Sequence, residues 1–244
     1  MGLFSIDGPL VAFLNRLADL VVLNILTLIC LLPFFGLLAV LSGFLEATTG
    51  MVLFSSLSFF SGCAVCAEHH CIIKILLDED CPVFKTFFKS CRVNFRQGNL
   101  LWSGFLLMFL VLGMDIRILS AQEENTLFSV MQVLCGAVML LVLFVFLYAF
   151  PLQSRYVNPL KATVKNAFIL SVYAFPRTLL QIVVFALMPL AAGFIGIRMF
   201  PFFLLFGFSV PAYLRAKIYL PVLLRLEGEQ EREKGEEEEE NNES

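Results

Sequence analysis

Apolar residues run through this chain in long blocks broken by short polar stretches, with little strict alternation. A helix that crosses a bilayer needs about 20 consecutive, mostly apolar residues, and the blocks near 17–41, 51–77, 98–119, 127–150, 176–197 and 199–222 meet that length. The intervals between them are "SGFLEATTG", "DEDCPVFKTFFKSCRVNFRQ", "AQEENT", the stretch from Pro151 to Phe175, and the short corner "IRMFP". The pattern predicts an all-α, polytopic membrane protein with about six transmembrane helices.

Two of the intervals have a period of their own. At 100° per residue, Phe84, Phe87, Phe88, Cys91 and Phe95 share one stripe, and Lys85, Lys89, Arg92 and Arg96 form a second stripe beside it. An apolar stripe flanked by cations describes a helix lying in the membrane plane, rings in the acyl boundary and cations at lipid phosphate. Asp78, Glu79 and Asp80 with Pro82 would begin it. The segment "LKATVKNA" repeats the spacing, with Lys161 and Lys165 four apart as Lys85 and Lys89 are. Both segments follow an inward span and precede an outward one, the arrangement a parallel duplication would leave. Two amphipathic cytoplasmic connecting helices are therefore expected. Their basic faces suit the lipid surface or a cytoplasmic partner protein, and they are too small and too close to lipid for nucleic acid.

Composition agrees with the blocks. Of 244 residues, 59% are hydrophobic, 27 are Phe, and the mean hydropathy is +0.86, against about 45–50% apolar in a soluble domain. The net charge of −3 conceals an asymmetry. From Glu227 onward ten acids face two bases, so residues 1–226 carry a net +5. The reading divides the chain into a helical membrane domain, 1–226, and an acidic cytoplasmic tail, 227–244, expected to be disordered because it holds too little apolar surface to offset ordering. Threading six spans with both termini in the cytoplasm puts fifteen Lys/Arg on that side and only Arg117 and Arg198 on the other, as the positive-inside rule expects. The first twenty residues have no basic n-region or small-residue cleavage site, so no signal peptide is expected.

Candidate chemistry concentrates in "SGCAVCAEHHCIIK", residues 61–74. On a helix Cys63, Cys66 and His70 share a face, but 63 and 70 lie about 10 Å apart along the axis, too far for one zinc ion with ligands at about 2.0–2.3 Å. Packing of small residues is the leading reading, with metal and redox roles as minor ones, and no cofactor is expected. Glu68 is different. A carboxylate at a helix centre costs about 2.5–3.5 kcal/mol to insert, so it is expected to face protein or water, with His69, His70 and Lys74 nearby. A polar path along the first two helices would take in Glu68, Asn24 and the cysteine face. No catalytic triad, phosphate-binding glycine loop or surface carboxylate pair is present, so an enzyme is not expected.

These segments together resemble the YesL-like family of bacterial integral-membrane proteins, whose molecular function is unassigned. The similarity runs through "RLADLVVLN", "LLP", "KILLDED" with "FKTFFKSCRVNFRQ", "FPLQSRY", "KNA", "PRTLL" and "FGFSVPAYL", about residues 3–226. Cys63, Cys66 and Cys71 stand where that family has small or apolar residues, and the region 34–60 looks longer than the family pattern. The resemblance implies a multi-pass protein of the bacterial plasma membrane, with an accessory role beside the permease or ATPase subunits of a carbohydrate ABC-type uptake system. The residues themselves leave open a second function, a small-solute transporter or channel using the path near Glu68.

Overall fold

The computed structural model describes residues 9–41, 58, 60–122, 126–156 and 158–243. Among them every element is helical. The order is α1 (Pro9–Leu41), α2 (Ser61–Leu76), α3 (Val83–Val93), α4 (Phe95–Ser120), α5 (Thr126–Arg155), α6 (Leu160–Tyr173), α7 (Phe175–Ile195), a 3₁₀ turn (Gly196–Met199), α8 (Phe200–Phe206) and α9 (Ser209–Glu243). The stretches Leu10–Leu37, Phe95–Ser120, Thr126–Arg155 and Phe175–Ile195 are long and apolar enough to cross a membrane. Their outward faces carry Leu107, Val111, Met114, Leu134, Leu141, Val183 and Phe194, all exposed. Apolar area of that extent suits lipid, since soluble monomers rarely show contiguous patches above a few hundred Å².

Two of the six expected spans differ from single long helices. The described part of the second is α2, 16 residues, because residues 51–57 lie outside the described residues, as does much of the region 34–60. The sixth is interrupted: α8 ends at Phe206, Gly207 and Phe208 form a turn, and α9 starts at Ser209. The tail also differs from expectation. Residues 227–243 continue α9 as helix, in keeping with the high helix propensity of Glu, Gln, Lys and Arg, and Glu227 packs against the membrane domain.

The two amphipathic helices are built alike. Proline stands at the N-cap of each, Pro82 before α3 and Pro159 before α6, where its fixed φ suits helix entry. Each joins the following span through one residue. Asn94 links α3 to α4, its amide N–H bonded to the Ser90 carbonyl at 2.9 Å and its side chain to the same carbonyl at 3.2 Å. Ala174 links α6 to α7, and Thr178 Oγ1 secures that joint by donating to the Ser171 carbonyl at 2.8 Å. The phenylalanine stripe of α3 is divided between two environments. Phe87 and Ser90 are buried, whereas Phe84 and Phe88 are 64% and 48% exposed. Lys85, Lys89, Arg92, Arg96, Lys161 and Lys165 are all exposed.

Close packing centres on α2, which touches α1, α3, α4, α5 and α9. Against α4 it crosses at Gly62 and Gly98. A Cβ on Gly62 would lie within van der Waals contact of the Gly98 carbonyl and 2.6 Å from Trp102 Cβ, so the two backbones touch only because side chains are missing. Cys66 Sγ fills the space beside Gly98, and the Cys63 amide donates to Asn99 Oδ1 at 2.8 Å. Aromatic packing continues the α4–α5 contact. Phe146 and Phe150 meet at 5.2 Å between ring centroids, and Phe105 stands edge-on to Phe146 at 5.4 Å.

Candidate functional site

The contacts between Arg16 and Asp78 and between Ser61 Oγ and the Cys30 carbonyl set α1 and α2 antiparallel and put Glu68 opposite residues 23–26, the middle of the α1 span. At that depth Glu68 is 3% exposed and His69 1% exposed. The helix that buries Glu68 packs on α9, where Arg215, 8% exposed, lies near enough for its charge to act on the Glu68 carboxyl. The Arg215 guanidinium lies over the Phe185 ring of α7, 5.5 Å from its centroid. His69 Nδ1 and the hydroxyl of Tyr219, one turn beyond Arg215, are 3.2 Å apart. Gln181 of α7, one turn before Phe185, is fully buried. Helices α2 and α9 thus bring a carboxylate, a guanidinium, an imidazole and a phenol into one buried centre, with the Phe185 ring of α7 against it.

The centre is incompletely paired. Glu68 Oε1 and Arg215 Nε have no hydrogen-bond partner. Leaving a buried polar group unpaired costs about 1–3 kcal/mol, more for a charged one. Glu68 Oε1 is an acceptor and Arg215 Nε a donor, so the centre holds unused capacity of both kinds.

His70 and Lys74 belong to a different compartment. His70 Nδ1–H donates to the Ser154 carbonyl at 3.1 Å, and Lys74 pairs with Glu79 at 3.4 Å. Together with Arg155, Tyr156 and Glu227 they line a cavity of about 310 Å³ at the end of α2, one residue from the buried centre. Its wall is a clasp. Arg155 Nε and Nη2 bond the two Glu227 carboxylate oxygens at 2.6 and 2.8 Å, and the Tyr156 hydroxyl donates to Oε1. Tyr156 and Glu227 also line an adjoining cavity of about 440 Å³ between α5, α6 and α9.

The hydrogen bonds from Arg155, reinforced by Tyr156, hold the Glu227 carboxyl below the ordinary carboxylate range against the opposing effect of burial. Because the folded-state value is depressed, the clasp contributes its full stability above the unfolded glutamate value, about 4.3, and loses it as pH falls through the depressed one. Thermal melts of wild type and Glu227→Gln across pH 3–7 should therefore show a gap that is constant near neutrality and closes on acidification. A gap unaffected by pH would mean that the carboxylate charge adds nothing.

The four residues expected to form one polar group are thus split, Glu68 and His69 in the centre, His70 and Lys74 in the cavity. Asn24, expected on a path beside Glu68, is instead occupied by the α8–α9 turn: Nδ2 donates to the carbonyls of Phe203 and Leu204 at 3.3 and 2.8 Å, and Oδ1 accepts from the amides of Phe208 and Ser209 at 2.7 and 3.1 Å. Arg215, counted from the sequence among the cytoplasmic charges, lies in the core. Its signal was a cation well inside the sixth apolar block, where Arg215 and Lys217 stand two apart. The cysteines act in packing, and among the described residues no three His, Cys, Asp or Glu side chains converge as a ligand set.

Comparison with known proteins adds one fact to this geometry. Residues 20–116 match DUF624, a family of proteins of unknown function. The DUF624 stretch runs from α1 through most of α4, agrees with the YesL-like resemblance, and contains Asn24, Glu68, His69, His70 and Lys74. Arg215, Tyr219, the clasp and the interrupted sixth span lie outside it. No curated protein and no solved structure matches the chain.

Proposed function

We propose that this protein binds a small polar solute at the buried centre around Glu68 and Arg215 and passes it through the helical membrane domain as a non-enzymatic transporter or channel. The observation that carries the reading is that Glu68 Oε1 and Arg215 Nε are both buried deep in the bundle without a partner. Ionisable side chains inside a membrane domain are costly and mark substrate or ion pathways. An interrupted helix beside such a centre is a second feature of transporters, and the cavity at His70 and Lys74 supplies an antechamber on the side toward which most of the positive charge faces. With Arg215 set aside as a core residue, fourteen Lys/Arg remain on the side of both termini and two on the other, which supports cytoplasmic termini in a bacterial plasma membrane.

Purified protein in liposomes, offered a panel of radiolabelled sugars and cations, should show flux for at least one, and Glu68→Gln should reduce that flux tenfold or more. Absence of flux for every solute would overturn the reading.

A second reading is favoured by the six exposed cations on α3, the first turn of α4 and α6. It makes the protein an accessory component of a carbohydrate ABC-type uptake system, docking on permease or ATPase subunits through those faces. Affinity purification from native membranes after crosslinking should recover such subunits, and less of them when the six are changed to Gln.

A further inference from the structure

Two buried hydroxyls beside the interruption between α8 and α9 have no partner in the protein, and two backbone carbonyls there lose the donors a continuous helix would give them. Thr27 Oγ1 and Ser209 Oγ are both fully buried and both without a hydrogen-bond partner. Thr27 lies one turn from Asn24 on the same face of α1, and Ser209 donates its amide to Asn24, so both hydroxyls border the turn. The backbone adds two carbonyls. Gly207 would bond the amide of residue 211 in a continuous helix, but that residue is Pro211, which has no N–H. Leu205 would bond the amide of Ser209, which is directed to Asn24 instead.

We infer that this turn is a binding site for a monovalent alkali cation, held by Thr27 Oγ1, Ser209 Oγ and the carbonyls of Leu205 and Gly207. All four are hard, neutral oxygens, the donor type that suits alkali and alkaline-earth ions. No carboxylate is among them, which disfavours a divalent ion that needs charge compensation. Unwound carbonyls at half-helix ends inside a membrane domain coordinate Na⁺ or protons in transporters as a general structural rule. Asn24 holds both half-helices in register while leaving the two hydroxyls unoccupied. Glu68 is not among these ligands, and cation binding here does not require that any solute be carried.

The test is thermal unfolding of the full-length protein in detergent, in NaCl or KCl against N-methyl-D-glucamine chloride at equal ionic strength. The melting temperature should rise saturably with one of the alkali ions and stay flat with the organic cation, as expected for a ligand that binds only the folded state. Ser209→Ala and Thr27→Val should each reduce the rise by at least half, whereas Thr27→Ser, which keeps the hydroxyl, should retain it. Equal melting temperatures in all three salts, or a rise that survives undiminished in both Ser209→Ala and Thr27→Val, would overturn the assignment. Loss of solute flux with retention of the cation-dependent rise would count against the Glu68 pathway alone.

Discussion

Asn24→Leu is expected to lower stability by about 2–5 kcal/mol, read as a fall of several degrees in the melting temperature of the detergent-solubilised protein. Leucine keeps the branched outline of asparagine but is bulkier, so some overpacking at this fully buried position adds to the loss of the amide. Four hydrogen bonds disappear at once, and the amides of Phe208 and Ser209 and the carbonyl of Leu204 lose partners in a buried setting. The Phe203 carbonyl keeps its bond from the Gly207 amide at 2.9 Å, so it contributes less. Each stranded group costs about 1–3 kcal/mol in a protein interior, while membrane helices relax and often lose only about 0.6–1.7 kcal/mol per side-chain bond. The stated range combines the two. A shift below about 1 °C would show that the turn holds itself together without α1.

Gly62→Leu carries the second large effect, and its cause is steric. The new side chain would have to occupy the space of the Gly98 carbonyl and the Trp102 Cβ. Both belong to a neighbouring backbone or its first side-chain atom, so neither can rotate aside. The helices must separate, which breaks the bond from the Cys63 amide to Asn99 and opens the wall around Trp102. Overpacking typically costs about 1–3 kcal/mol where side chains can adjust. Here the obstruction is backbone, so we expect failure to recover folded protein by size-exclusion chromatography. The opposite face gives an internal control. A Cβ on Gly98 meets Cys66 Sγ at 3.0 Å and backbone at 3.2 Å, so Gly98→Ala should be mild, and Cys66→Ala in the same chain should restore part of the loss. Recovery of Gly62→Leu at wild-type yield would show that the α2–α4 crossing is looser than described.

The parts of this protein that the sequence makes legible are those encoded locally. Block length alone locates α1, α4, α5 and α7, and the spacing of Phe84 to Cys91 locates α3, because lipid exposure and helix period act within a few turns. The last members of the expected stripes, Phe95 and Arg96, fall instead in α4 beyond the Asn94 joint. The cysteines are readable as packing residues from their company of alanine and glycine. The partner of Glu68 is not readable in this way. Arg215 stands about 150 positions away in a stretch, "PAYLRAKIYL", that looks like an ordinary inner boundary, and only the packing of α9 on α2 reveals it. The interruption of the sixth span left a trace, Gly207 four residues before Pro211 inside an apolar run, but its cause, an asparagine on the first helix, is a tertiary contact. The acidic end misled in the other direction: composition predicts disorder, while helix propensity and the bond from Arg155 to Glu227 favour continuing α9.

The single-residue joints have a mechanical consequence. With only Asn94 between α3 and α4, no slack separates a helix carrying Phe84 and Phe88 on its surface from the first turn of the next. Gln97 on that turn accepts from Gln153 Nε2 of α5 at 2.7 Å, and Gln153 Oε1 accepts from Thr163 Oγ1 of α6 at 3.0 Å. A tilt imposed on α3 is therefore delivered through one pivot to three helices at once, which makes the bundle a stiff lever with α3 as its short arm.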